Sequence, residues 1–303
     1  MKKNDGASTM ESLFKENNKP QSSDEWLVTQ AVNGNREALE ELIQRHHRWI
    51  YNIALRMVGE PFDAEDVTQE VMIKILVNIP KFKMKSGFRT WAYRIVVNHV
   101  INMKKREYEK KRSSFYQYAT AIDNTPDMDL PDPQHLPVDT ILILEEVKIH
   151  CMMGMLLCLN RKERLVFVFG EIFQFSGPVS SEILECSNEN YRQILSRARR
   201  KVYNFMRGKC GLIDKKNTCH CDRKAKALMD DSVIDPQNLY FTGHSLFKLS
   251  TLMKKKYYRL HDVVKTKCQR LFKEQPFFES PNFVKTFRQI LDSNEFNDIL
   301  SFN

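Results

Sequence analysis

The chain has 303 residues, is 42% hydrophobic and carries a net charge of +9. That is enough apolar matter for about two packed domains and too much for a wholly disordered chain, and the positive balance points to an acidic partner such as nucleic acid. No apolar run approaches the roughly 20 residues of a membrane span, so no membrane insertion is expected.

Residues 1–23 are polar and read as a flexible tail, with lysines but no apolar stretch resembling a secretory signal. A helical region is predicted over 24–112. Within it, Asp63 follows Pro61 as a candidate N-cap, and Val67, Val71 and Ile75 make an inward stripe. Asp66, Gln69 and Glu70 share the outward face of that helix, where acids serve either as a solvated surface or as a docking face. A lysine-rich bend follows, with Lys81, Lys83 and Lys85 beside Phe82 and Phe88. Screened phosphates plus nearby rings suit a single strand of nucleic acid, although a solvated loop anchored by a buried ring has the same composition. The next helix carries an apolar stripe from Phe88 through Trp91, Ala92, Ile95 and Val96 to Val100, with His99 read as a core histidine. Its other face shows Arg89, Arg94, Asn98, Asn102, Lys105 and Arg106, donors suited to phosphates and base edges.

Residues 113–140 read as an acidic linker: AIDNTPDMDLPDPQHLPVDT has four prolines, five aspartates and no Lys or Arg. Helical periodicity resumes over 141–207. There, Ser176 and Pro178 open a short helix with Val179, Ile183 and Leu184 inside, and Cys186–Asn188 turns into a second one. Tyr191, Ile194, Leu195, Ala198 and Val202 form its core stripe, leaving Arg192, Gln193, Ser196, Arg197 and Arg200 outside. This is a helix-turn-helix with a basic outer helix, the shape that enters a major groove.

Residues 208–303 form a Cys-containing extension without an evident role. Cys210, Cys219, His220 and Cys221 supply the donor types and number of a zinc site, but the spacing is not that of a finger, and a loop of reduced cysteines or a redox pair explains it equally. Seven cysteines, none before Cys151, suit a reducing cytoplasm better than a disulfide framework. Basic, amphipathic Leu246–Phe272 and a short helix over Phe283–Leu291 complete the reading. Strand-like alternation is scarce, so the fold class is mainly α: two small helical domains, an acidic linker and a small helical extension.

Two stretches together carry a family resemblance. DAEDVTQEVMIKI with GFRTWAYRIVVNHVINMKKR resembles region 2 of the RNA polymerase sigma factors of the extracytoplasmic-function type, and SSEILECSNENYRQILSRARRKV resembles their region 4. The resemblance implies a promoter-specificity subunit without catalysis or required cofactor. Asp66, Gln69 and Glu70 would dock on the β′ clamp helices of core polymerase. Lys81, Lys83, Lys85, Phe88, Arg94, Asn98, Asn102 and Lys105 would hold the melted minus-ten element. Arg192, Gln193, Ser196, Arg197 and Arg200 would read the minus-thirty-five element, with region 4 near the β flap, and an anti-sigma factor is a further candidate partner. Asn160, the Gly-Pro of SGPVSSEIL, Glu189 and Ile194 depart from the family pattern. Two other readings remain: a stand-alone helix-turn-helix regulator using 141–207, and a nuclease whose metal sits on Asp63, Glu65, Asp66 and Glu70.

Overall fold

A computed structural model of the chain describes residues 23–105, 107–110, 114–131, 140–242, 264–275 and 277–291. The predicted tail, except Ser23, lies outside them, as do Arg106 and, of the amphipathic stretch Leu246–Phe272, the residues before Val264. Among the described residues every regular element is helical, and the one β-type pairing is an isolated bridge between Cys210 and Cys219. No helix among them is long and apolar enough to cross a membrane.

The first module is built of α1 (Asp24–Val32), α2 (Arg36–Val58), α3 (Pro61–Asn78) and α4 (Phe88–Asn102). Short polar side chains start the first two: Ser23 Oγ accepts the Trp26 N–H at 3.1 Å, and Asn35 Oδ1 that of Ala38 at 3.0 Å. Gly59 stops α2 at φ +83°, a left-handed position that favours a residue without Cβ. Glu60, not Asp63, caps α3, its carboxylate accepting the Asp63 N–H at 2.7 Å. Pro61 explains the shift, because it needs no donor at the first helical position and so starts the helix three residues earlier. Asp63 instead lies in the first turn, where its charge faces the helix dipole. The helix α2 is the axis of the module, with Ile50, Ile53, Ala54, Met57 and Val58 essentially unexposed. Val67, Val71 and Ile75 of α3, and Ala92, Val96 and Val100 of α4, are buried with them, as their spacing predicts.

The expected extended linker begins with helix. After α5 (Glu107–Lys110), Ser114 caps α6 (Phe115–Asn124), whose Tyr118 ring stacks on Phe205 at 5.6 Å and whose phenol donates to the Cys151 carbonyl. The chain extends only from Thr125, where prolines and aspartates set in; 132–139 lie outside the described residues.

The second module comprises α7 (Thr140–Leu157), α8 (Arg161–Phe167) running into a π-helical turn (Val168–Ile172), α9 (Gly177–Ile183) and α10 (Asn188–Lys209). Ser176 and Ser187 cap the last two, and Tyr191, Ile194, Leu195, Ala198 and Val202 are buried as expected. Val179 is 46% exposed, because α9 buries Ser180, Ser181 and Ile183 on its inner side instead. The extension contributes α11 (Cys221–Asp230), α12 (Val264–Lys273) and α13 (Phe283–Leu291).

One apolar core runs through both modules and the extension. Tyr93 of α4 sits at the seam, stacked on Trp49 at 3.9 Å and edge-on to Phe169 and Phe175 of the second module at 6.1 and 5.5 Å. Each such fully buried large side chain contributes roughly 1.5–3 kcal/mol relative to exposure. Two arginines of α8 complete the seam. Arg161 donates to the carbonyls of Ile101, Met103 and Lys104 that end α4. Arg164, 2% exposed, donates to Met57 of α2 and to the Leu156, Leu157 and Leu159 carbonyls of its own module. Glu109 binds both guanidiniums, at 2.7 Å from Arg161 and 3.2 Å from Arg164.

Candidate functional site: an acidic helix face and two basic surfaces

Helix α3 presents Asp66 and Glu70 to solvent, with Gln69 half-buried between them. The acids crowd: partial burial and the nearby Glu60 and Asp66 carboxylates push the Glu65 carboxyl upward. A basic partner laid on this face would relieve that repulsion.

The lysines Lys81, Lys83 and Lys85 are all exposed on the bend. The rings beside them are not an open platform. Phe88 is 1% exposed and its N–H donates to Glu25 at 2.9 Å, so it is a core residue and does not meet nucleic acid in this conformation. Phe82 and Trp91 are half-buried and pack with it at 5.1–5.8 Å. The physical reason is amphipathicity: a ring that opens a helix on its apolar stripe is claimed by the core. The apolar tip of the bend is instead Met84, 53% exposed at φ +51°. A methionine between lysines gives no sequence signal, and Met84 escaped the sequence reading.

On α4, Asn98, Asn102 and Lys105 are exposed, Lys105 just beyond the helix end. Arg94 is engaged by the second module: its guanidinium donates to the Glu182 carbonyl at 3.3 and 3.4 Å and lies 3.6 Å from the carboxylates of both Glu182 and Glu185. A groove between α3 and α4 brings the acidic and amide faces together, lined by Glu70, Lys74, Asn98, His99 and Asn102. His99 links its walls, with Nδ1 2.7 Å from Lys74 Nζ and Nε2 3.2 Å from Glu70 Oε2. The expected core histidine is therefore buried, with charged side chains of the surface beside both ring nitrogens.

On α10, Arg192, Gln193, Ser196, Arg197 and Arg200 all face solvent. A cleft at its foot joins Arg197 and Arg200 to Asn160, Lys162 and Asn190. Lys162 was invisible as a partner in sequence because it lies 35 positions from Arg197. Two further basic residues of α10 are tied to its own module: Arg199 pairs with buried Glu171, which also accepts from Tyr203, and Lys201 pairs with Glu163 at 2.8 Å.

Among the described residues, no three or more His, Cys, Asp or Glu side chains are grouped so as to hold a metal ion. That removes the geometric basis for the nuclease acids Asp63, Glu65, Asp66 and Glu70, which lie along one helix without carboxylates converging from a second element. It equally separates the four expected zinc donors. Successive residues point apart, so the His220 ring lies over Gly211, where an added Cβ would meet it at 2.7 Å. Cys219 and Cys221 instead line a cavity with Cys151 of α7, and burial together with the neighbouring thiols pushes the Cys221 thiol well up.

Residues 42–122 match the family model of sigma-70 region 2. The chain is 27% identical over 183 residues to the ECF RNA polymerase sigma factor SigW of Bacillus subtilis, an overlap of 59% of this chain and 95% of that one. It is 27% identical over 182 residues to the RNA polymerase sigma factor NccH of Alcaligenes xylosoxydans xylosoxydans, covering 60% and 93%. Over 82 residues it is 33% identical to the RNA polymerase sigma-H factor of Pseudomonas aeruginosa, covering 27% and 42%. A solved structure of CnrH in complex with the cytosolic domain of CnrY overlaps 61% of this chain and 97% of its own, with a TM-score of 0.43 at 20% identity.

Proposed function

We propose, from the premise that this chain belongs to the extracytoplasmic-function RNA polymerase sigma factors, that its surfaces divide the work of transcription initiation among themselves. The observation that carries the reading is a likeness to SigW spanning nearly the whole of that protein, combined with solvent exposure of most of the polar positions the two motifs place outside. Asp66, Gln69 and Glu70 engage core polymerase. Lys81, Lys83 and Lys85 screen phosphates of the melted minus-ten strand, Asn98 and Asn102 address its base edges, and Met84 offers the apolar tip against which an unstacked base rests. Arg94 joins them once released from Glu182 and Glu185. The outer face of α10 reads the minus-thirty-five element, with Lys162 added to the phosphate contacts beside Arg197 and Arg200.

The role is one of binding; RNA synthesis belongs to the polymerase. Opening about ten base pairs forfeits stacking of roughly 1.4 kcal/mol per step. Each base held on an apolar surface returns about 1–3 kcal/mol. A single exposed tip cannot sustain a bubble alone, so melting requires the polymerase's own contacts with DNA. In vitro transcription with core polymerase over a genomic library tests the reading. The expected result is a distinct set of start sites that depend on this chain; start sites unchanged by its addition refute the proposal.

A further inference from the structure

Residues 264–275 and 277–291 straddle the two modules. Helix α12 buries Cys268 and Phe272, both 0% exposed, against the second module, with Phe272 edge-on to Phe167 at 4.8 Å. Helix α13 buries Phe283 and Phe287 against α2 of the first module, and Arg288 donates to Glu40 at 2.7 and 2.9 Å. Between them the backbone of Phe278 is held from both sides by one side chain: its N–H donates to Asn52 Oδ1 at 2.9 Å, and its carbonyl accepts from Asn52 Nδ2 at 2.7 Å. Asn52 is itself fixed by Arg56, whose guanidinium lies 5.5 Å from the Phe173 ring and 5.2 Å from the Phe278 ring. The first module (Arg56), the second (Phe173) and the extension (Phe278) therefore meet at a single buried cation.

We propose that residues 264–291 are a built-in strap that holds the two DNA-reading modules in one closed body and must let go before both promoter elements are held at once. The DNA half of this inference rests on the sigma-factor reading. Elements named for positions ten and thirty-five lie about 25 base pairs apart, or about 85 Å along a duplex at 3.4 Å per pair. A packed body of 303 residues has a radius of gyration of about 19 Å and is roughly 50 Å across. The closed body cannot reach both elements. Within it Arg94 is latched to Glu182 and Glu185, whereas the acidic residues Asp66 and Glu70 are exposed. The order that follows is polymerase first, opening second, promoter third.

Small-angle scattering on the full chain tests the strap. Phe272→Ala with Phe278→Ala is expected to raise the radius of gyration by a quarter or more while helical circular dichroism is retained. Equal radii for wild type and variant overturn the proposal, as does a wild type already as extended as the variant. If the double variant loses its helical signal, Arg288→Glu decides. Faster amide exchange across α13, at least tenfold and reversed by adding Glu40→Arg, supports the strap, and unchanged exchange overturns it. Polymerase assays on the same proteins separate the two readings. Variants that join core polymerase and direct initiation yet never expand sink the strap alone, while variants that expand but neither join nor direct it sink the sigma-factor reading.

Discussion

Glu109 illustrates how much one side chain can decide. Its carboxylate is almost wholly buried and accepts from two arginines of the other module. Burial alone would raise its carboxyl, but the hydrogen bond from Arg161 and the charges of Arg164 and Arg161 overcome that and hold it below the ordinary carboxylate range. A depressed folded value contributes stability above the unfolded value of about 4.3, and that stability disappears as pH falls through the folded value. Glu109→Gln should cost about 3 kcal/mol in urea unfolding at pH 7, because it leaves buried Arg164 and partly buried Arg161 without their counter-charge. The gap to wild type should close as the pH is taken below about 4. Asp66 is a residue of the opposite kind, exposed and at the centre of the acidic face. Asp66→Arg should weaken association with core polymerase at least tenfold by gel filtration while leaving the thermal melt within a degree or two, the small effect usual for surface substitutions. The exposed position of Asp66 was legible from its place opposite Val67, Val71 and Ile75. The burden on Glu109 was not, because its partners lie 52 and 55 positions away.

The elements followed local chemistry closely. Ser114, Ser176 and Ser187 each sit where a short polar side chain meets the start of an apolar period, and each caps a helix. What local chemistry could not convey is how closely elements approach. Gly170, in the π-helical turn, lies against α10, and a Cβ there would come within 2.7 Å of Leu195 and 2.8 Å of the Tyr191 hydroxyl. Both neighbours are buried stripe residues of the basic helix, so α10 itself would have to move. Gly170→Ala should therefore cost about 1–3 kcal/mol of stability, as overpacking does, and should weaken binding to a minus-thirty-five duplex beyond what that loss explains. A melt and a duplex titration on the same preparation check both parts. The ring cluster beside the bend teaches the same lesson. Phe88 suited a stacking surface by its neighbours in sequence, yet its place on the apolar stripe of α4 put it inside.

At the scale of the molecule, the predicted arrangement was two small helical domains joined by an acidic linker, with a small helical extension, and the structure packs all three on one core. The acidic face of α3 and the basic face of α10 both remain exposed in that packing. Arg197→Ala should lower affinity for a minus-thirty-five duplex by the roughly 1–3 kcal/mol of a base or phosphate contact and leave core association unchanged. Loss of both in a pull-down and a DNA titration would show that the modules do not act separately.

The amino-acid sequence by itself determined the helices, their caps, the stripes that face inward and the residues left on the acidic and basic faces. Each of these depends on neighbours within a turn or two, where periodicity and side-chain chemistry act directly. Only the tertiary structure decided that Arg94 is latched by Glu182 and Glu185, that Cys151 shares a cavity with Cys219 and Cys221, and that Asn52 and Arg56 seize Phe278. Those outcomes pair groups dozens to hundreds of positions apart, and such pairs form only after the chain has chosen which apolar faces to bury together.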